Sequence, residues 1–141
     1  MMISTRGTYA LRVLCDLAQH GDGGFLALRD IVARQGMSQK YIEGIMTSLS
    51  KGGLVEGVHG RGGGYRLCKA PEAYSLGEIL RLTEGDLAPV SCVERGAPVC
   101  EMAATCRARP VWDELNRRIN EYLDSVTLAD LLDPERGEPI D

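Results

Sequence analysis

Cys92, Cys100 and Cys106 stand with seven and then five residues between them in a stretch that also holds Pro89, Gly96 and Pro98. Three thiols on one glycine- and proline-containing loop can converge on an inorganic centre, and iron-sulfur clusters favour thiolate ligands. Zinc is the chemical competitor, but structural zinc sites carry closely spaced cysteine pairs, and this loop has none. Unligated thiols open to oxidation are the third reading. The loop contains no histidine, so a fourth ligand would have to be Glu94, Glu101, a small thiol or water. Cys15 lies beside the apolar face of a helix and Cys68 at the end of a strand, and both are expected to be ordinary small buried residues. A thiol enzyme would need a base. The histidines, His20 and His59, share no motif with a cysteine, so no enzyme is expected.

A second chemical locus is His59-Gly60-Arg61-Gly62-Gly63-Gly64. Glycines let backbone come close to a ligand because no Cβ intervenes, and phosphate or a nucleic-acid groove is the natural target of Arg61. Dinucleotide and P-loop signatures need a strand leading into a helix, whereas this loop sits between two short alternating runs. A purely structural turn is the other reading. A third locus is Ser38-Gln39-Lys40-Tyr41 with Glu43. Gln can bond adenine, Lys can donate to guanine, and Glu can accept from cytosine N4. Ser38 serves equally well as a helix cap.

These groups need elements to position them. Ser4 or Thr5 can cap a first helix with Ala10, Val13, Leu14, Leu17 and Ala18 on one face, broken by residues 21–24. Leu28, Ile31 and Val32 mark a second helix ending at Gly36, and Ser38 opens a third with Ile42, Ile45, Met46 and Leu49, stopped by Gly52-Gly53. Two short helices across Gln35-Gly36-Met37 have the length and turn glycine of a helix-turn-helix. The runs 54–58 and 64–68 then form a β-hairpin. A fourth helix follows Ser75, with Leu76, Ile79, Leu80 and Leu82 on one face. Residues 86–105 have no helical period, and loops of that length tend to be functional. A long helix from Arg107 carries Val111, Trp112, Leu115, Ile119, Tyr122, Leu123 and Val126, and Thr127 can cap a last turn over 128–132 with Asp130 three residues on. The tail from Pro134 is polar and expected to be loose.

The fold expected is therefore mainly α with a small β-hairpin wing, a winged helix-turn-helix followed by a long C-terminal dimerisation helix. Residues 1–74 form the DNA-binding part, 75–104 a linking helix and cysteine loop, and 105–141 the dimerisation helix and tail. The broad stripe on that helix, with the chain's single Trp, exceeds what a small winged domain covers, which points to a second copy as partner, packing on its own domain alone being the other reading.

A chain of 141 residues, 44% apolar and 26% charged, is a one-domain globular length and composition. No stretch approaches the ~20 apolar residues that span a bilayer, and the start does not read as a secretory signal, so a cytoplasmic location and no membrane partner are expected. The net charge of −4 hides an asymmetry: residues 1–70 carry nine Lys and Arg against five Asp and Glu, residues 71–141 seven against fifteen. A basic front half can meet a polyanion although the whole chain is acidic. Helix N-termini offer free N–H groups to phosphates, with Arg6 and Tyr9 placed for backbone contact.

The ordered set Met2-Ile3-Ser4-Thr5, Tyr9-Ala10-Leu11, Gln35-Gly36-Met37-Ser38, Tyr41-Ile42-Glu43, Gly53-Leu54-Val55 and Gly62-Gly63-Gly64-Tyr65-Arg66-Leu67 resembles the Rrf-two family of bacterial transcription regulators, over nearly the whole chain. The resemblance implies a homodimer with its third helix in the major groove of double-stranded DNA, its wing in the minor groove, and its long helix pairing the subunits. Two-fold dimers place recognition helices about one duplex turn, or ~34 Å, apart, so a roughly palindromic operator is implied. Ser38 and Glu43 correspond to DNA-contacting positions. Many members have arginine where this chain has His59. The wing role therefore passes to Arg61, with His59 a pH-sensitive substitute.

Cluster-binding members carry three cysteines in the same loop, so the resemblance implies an iron-sulfur cluster on Cys92, Cys100 and Cys106. The first spacing is longer here, Arg109 stands where some members use a histidine, and Thr8 where others use an acidic residue, which leaves a 2Fe-2S or 4Fe-4S cluster open. The implied function is regulation of transcription in response to iron-sulfur status, redox state or nitric oxide. The alternative is a metal-free regulator of the same fold, acting by thiol oxidation or by binding a metabolic partner protein.

Overall fold

The computed structural model describes residues 3–135. Met2 of the N-terminal pattern and the tail beyond residue 135 lie outside the described residues.

Helix α1, Thr5–His20, begins where the Ser4 hydroxyl accepts a hydrogen bond from the Gly7 N–H at 3.2 Å. One face, Ala10, Val13, Leu14 and Leu17, is buried and forms the middle of the core. Helix α2, Leu28–Gln35, stops at Gly36, whose φ of 67° turns the chain into the left-handed region that glycine tolerates best. Helix α3, Gln39–Lys51, then starts at the Ser38 cap and buries Ile42, Ile45, Met46 and Leu49.

Asp16 is the only buried charged side chain among the described residues. Its carboxylate accepts from Arg34 Nε at 2.9 Å, Arg34 Nη2 at 2.7 Å and Gln35 Nε2 at 2.8 Å, which clamps α2 onto α1. Arg12 extends the clamp by donating to Gln35 Oε1 at 3.2 Å.

Strands β1, Val55–Val58, and β2, Gly64–Leu67, pair antiparallel from Val55 opposite Leu67 to Val58 opposite Gly64. The far edge of β2 pairs with Leu26: Leu26 N–H donates to Tyr65 O and Tyr65 N–H to Leu26 O, both at 2.8 Å. That pairing dictates one of the tip glycines, and the hairpin turn itself dictates another. A Cβ at Gly64, where φ is 144°, would lie 2.0 Å from Leu26 O, and one at Gly63 would lie 2.3 Å from Val58 O. The chain's own backbone therefore requires both, as the turn reading expects, without reference to any ligand.

Tyr74 is fully buried beneath the wing. Its hydroxyl donates to Leu54 O at 2.6 Å and accepts from the N–H groups of Cys68 and Lys69 at 3.0 and 3.3 Å. Cys68 itself is exposed, which corrects the expectation that it is buried. It follows the last residue of β2, where the backbone N–H turns in toward Tyr74 and the thiol is left outside.

Helix α4, Leu76–Glu84, is capped by Ser75, and α5, Arg109–Ser125, begins two residues later than the apolar pattern suggests, with Pro110 in its first turn, where a missing N–H leaves no bond unmade. Helix α6, Leu128–Leu132, carries the expected capping box of Thr127 and Asp130. The chain returns to the domain here. Leu76 N–H donates to Val126 O at 2.8 Å and Leu128 N–H to Tyr74 O at 2.9 Å, so Tyr74, Ile79 and Leu128 share one core with α1, α2 and α3.

Candidate nucleic-acid interface and cysteine loop

The start of α3 is open to solvent at Ser38, Gln39 and Lys40. Ser38 Oγ accepts from the Tyr41 N–H at 3.2 Å, so it is a helix cap, and its own hydroxyl hydrogen stays free to donate outward. Gln39 Nε2 donates to Glu43 Oε1 at 3.1 Å, one turn on. Either residue can therefore meet a base through its remaining oxygen or by opening that bond. Lys40 has no ion pair among the described residues.

Helix α1 supports this surface from the side. Tyr9 meets Tyr41 edge to face, with ring centroids 5.7 Å apart, and Arg12 lies 5.3 Å over the Tyr9 ring. Arg6 donates to Ser48 Oγ, which holds its guanidinium across the side of α3. Arg6 and Tyr9 thus join the α3 surface in space although their partners Ser48 and Tyr41 lie 42 and 32 positions further along the sequence.

On the other side of α3, a cleft of about 630 Å³ runs between the helix and the wing, lined among others by Glu43, Thr47, Lys51 and His59. His59 faces this cleft. Arg61, at the tip, is exposed and has no ion pair among the described residues. In contrast Arg66, in the body of the wing, is occupied: it pairs with Glu56 across the strands and lies 4.4 Å over the Phe25 ring.

The cysteine loop is anchored mainly through its first part, where Asn116 of α5 also donates to Val93 O at 3.5 Å. Leu87 and Ala88 are buried, and the Asp86 carboxylate accepts from the N–H groups of Ala88 and Arg95, both at 2.8 Å. Cys92 lies half-buried on a single 3-10 turn, Ser91–Val93, while Cys100 and Cys106 are exposed. Beyond it Val99 is 91% and Met102 63% exposed, a surface with little to hold it in one conformation. The three thiols are not gathered: no group of three Cys, His, Asp or Glu side chains is placed to hold a metal among the described residues. The Arg109 guanidinium, at the end of the loop, is held above its ordinary value by its hydrogen bond to Asp113 and that carboxylate's charge, with lesser contributions from Cys92 and Cys100. The donor set, three soft sulfurs on a pliant loop beside a fixed cation, suits an anionic iron-sulfur group in chemistry. Burial pushes the Cys15 thiol up, and slight desolvation of the otherwise exposed Cys68, followed by the Glu56 charge, pushes that thiol up, so neither is an activated thiolate.

Helix α5 buries no residue in its 17-residue length. It is fixed to α4 by Arg81, which donates to Asp124 Oδ1 at 2.7 Å and Asn120 Oδ1 at 2.8 Å. Val111, Leu115 and Tyr122 are 59%, 39% and 63% exposed on its other side. The sequence gives no sign of Asp16 or Tyr74, because neither stands in a motif and each gains its role from a partner distant in the chain.

Residues 3–134 match the family Rrf2, described as "Iron-dependent Transcriptional regulator". The chain is 35% identical over 132 residues to the HTH-type transcriptional regulator IscR of Erwinia tasmaniensis, covering 94% of this chain and 79% of that protein. It is 36% identical over 132 residues to Protein rrf2 of Nitratidesulfovibrio vulgaris, covering 94% and 87%. Among solved structures, CymR, the global cysteine regulator of B. subtilis, superposes with a TM-score of 0.76 at 34% identity, covering 93% of this chain and 95% of that one. IscR of T. potens superposes with a TM-score of 0.74 at 34% identity, covering 100% and 94%.

Proposed function

Because this chain belongs to the Rrf2 family of transcriptional regulators, which are DNA-binding proteins and not enzymes, we propose that it acts as a homodimer on a roughly palindromic operator, governed by an iron-sulfur cluster on Cys92, Cys100 and Cys106. One observation carries the reading: the exposed start of α3 and the unpaired Arg61 flank an open cleft on one surface, while the cysteine loop leads directly into a helix whose apolar side lacks cover.

In this reading α3 lies in the major groove, where Ser38 donates to a phosphate or base and Gln39, Lys40 and Glu43 face base edges. Arg61 reaches the minor groove, whose negative potential favours an inserted cation, with His59 behind it. Arg6, Tyr9 and Tyr41 border the backbone alongside α3. Val111, Leu115 and Tyr122 of two copies cover one another, which brings the two recognition helices into two-fold relation.

When bound, the cluster supplies an anionic centre sensitive to iron supply, oxidants and nitric oxide. Cys92 is positioned by its 3-10 turn, and the loop carrying Cys100 and Cys106 is free to fold toward it, with Arg109 offsetting the negative charge. Ordering this loop fixes the entry to α5, and through Arg81 and Asp124 the position of α4 against α1. Control of transcription requires that the two states differ in affinity for DNA.

Anaerobic purification followed by an absorption spectrum, with iron and acid-labile sulfide counted per monomer, tests the reading. Visible charge-transfer bands with matched iron and sulfide, absent from a Cys92→Ala/Cys100→Ala/Cys106→Ala variant, are expected. A protein that stays colourless after reconstitution would refute the cluster. The second reading, a metal-free thiol regulator, is favoured by the separation of the three thiols and by likeness to the oxidized form of Staphylococcus aureus CymR, at 28% identity and a TM-score of 0.69. Non-reducing mass spectrometry of oxidant-treated protein would then find a disulfide or sulfenate in the loop.

A further inference from the structure

Among the described residues three glycines lie inside helices, and two are explained by the chain itself. A Cβ at Gly7 would meet Glu84 Oε1 at 2.4 Å, and one at Gly77 would meet Asp124 Oδ1 at 1.9 Å, because α4 packs closely on α1 and on α5 at these points. Gly44, in the middle of α3, is different. It is exposed, its φ is negative as in any helix, and a Cβ there would find nothing within 4 Å. Alanine would fit without a clash and would favour the helix. A mid-helix glycine that none of the described residues demands points to a demand from outside the chain.

The place of Gly44 indicates which. At 3.6 residues per turn, Lys40, Gly44 and Thr47 form the crest opposite the buried stripe of Ile42, Ile45, Met46 and Leu49. Gly44 also borders a shallow, mainly apolar depression of about 360 Å³ lined by Arg6, Ser38, Lys40, Tyr41, Gly44 and Ile45. Carbon surface lies within it and two cations stand around it. On the base edges of a major groove, the apolar group is the 5-methyl of thymine.

We infer that Gly44 is a specificity-determining residue: its missing side chain lets the crest of α3 close onto the base edges, so that a thymine methyl enters this depression while Arg6 and Lys40 meet flanking phosphates. An added Cβ would stand ~1.5 Å further out, the length of one carbon–carbon bond, and hold the helix off. The inference rests on the DNA-binding reading of α3.

The probe is a duplex that the wild-type protein enriches from a random-sequence pool, with each thymine of a half-site replaced singly by deoxyuridine to remove only the methyl. Binding is titrated by fluorescence anisotropy at fixed salt. The wild type is expected to lose about fourfold, the worth of one buried methyl, at one thymine per half-site. Gly44→Ala is expected to melt roughly 2–4 °C higher, to bind the thymine duplex about tenfold more weakly, and to regain most of that loss on the matching deoxyuridine duplex. Gly44→Ala binding the thymine duplex as tightly as wild type, or a loss that no deoxyuridine relieves, would overturn the inference while leaving the DNA-binding reading intact. A wild-type protein that enriches no duplex would overturn both.

Discussion

Replacing Asp16 by Ala removes the carboxylate that holds α2 against α1, and its cost can be worked from the contacts. Three hydrogen bonds are lost, two from the Arg34 guanidinium and one from Gln35, all between 2.7 and 2.9 Å. Breaking a buried ion pair from one side costs ~3–5 kcal/mol, mostly because the surviving charge is left without a partner. Here the Arg34 side chain keeps 32% of its surface in solvent, so water recovers part of that loss, and Gln35 keeps its bond from Arg12. The expected destabilisation is therefore about 2–3 kcal/mol, read as the shift in urea unfolding followed by circular dichroism at fixed protein concentration. In a double-mutant cycle, adding Arg34→Ala should cost little more. Burial alone would raise the Asp16 carboxyl, but hydrogen bonds from Arg34 and Gln35 and the Arg34 charge outweigh it and hold the group below the usual carboxylate range. The unfolded carboxyl, near ~4, then binds protons before the folded one, so the stabilisation is complete above about pH 5 and fades as pH falls through the depressed value. The gap between wild type and Asp16→Ala should close in the same direction. Additive single-variant costs, or a gap unchanged between pH 7 and pH 3, would refute the reasoning.

Tyr74→Phe leaves Leu54 O without its donor and the Cys68 and Lys69 N–H groups without their acceptor, for a loss of about 1–3 kcal/mol, and hydrogen exchange at those two amides should accelerate. Val111→Glu/Tyr122→Glu places charge on the uncovered side of α5; sedimentation should show a monomer that is still folded, and an unchanged dimer would remove α5 from the interface. Arg61→Ala should weaken binding to all duplexes and flatten its salt dependence by about one unit of slope, whereas Gln39→Ala should change sequence preference with little effect on non-specific affinity. Equal operator affinity for Arg61→Ala and wild type would dismiss the wing contact.

Much of the fold is written locally. Ser4, Ser38, Ser75 and Thr127 each cap the helix expected of them, since a cap needs only a side-chain oxygen and an N–H two or three residues on. The turn at Gly36 and the hairpin over 55–67 follow from equally short-range signals, and the family motifs sharpen them. The candidate interface is legible to the same depth. Ser38, Gln39, Lys40 and Glu43 are named by their place on one amphipathic helix, and Arg61 by its place in a glycine-rich turn.

The rest depends on which distant residues meet. Leu26 joins the wing as a third, one-residue strand too short to show any alternation, and only then does Gly64 become obligatory. Tyr74 looks like one more apolar residue until the fold sets its hydroxyl under three backbone groups, and Asp16 like a solvent-facing charge until Arg34 and Gln35 reach it from α2. Gln39 and Glu43 seem independent readers, and the helix instead pairs them. The three cysteines are adjacent enough in sequence to suggest one centre, yet an irregular loop carries no repeat that fixes their distances, and their spacing in space is set by packing at Leu87 and Ala88, by the Asn116 bond to Val93 and by turns within the loop. Sequence alone determined the order of elements and the chemical groups each would offer, because those follow from neighbours along the chain. Tertiary structure decided which groups are spent on holding the protein together and which stay free for a partner, because burial and long-range pairing exist only once the chain has folded.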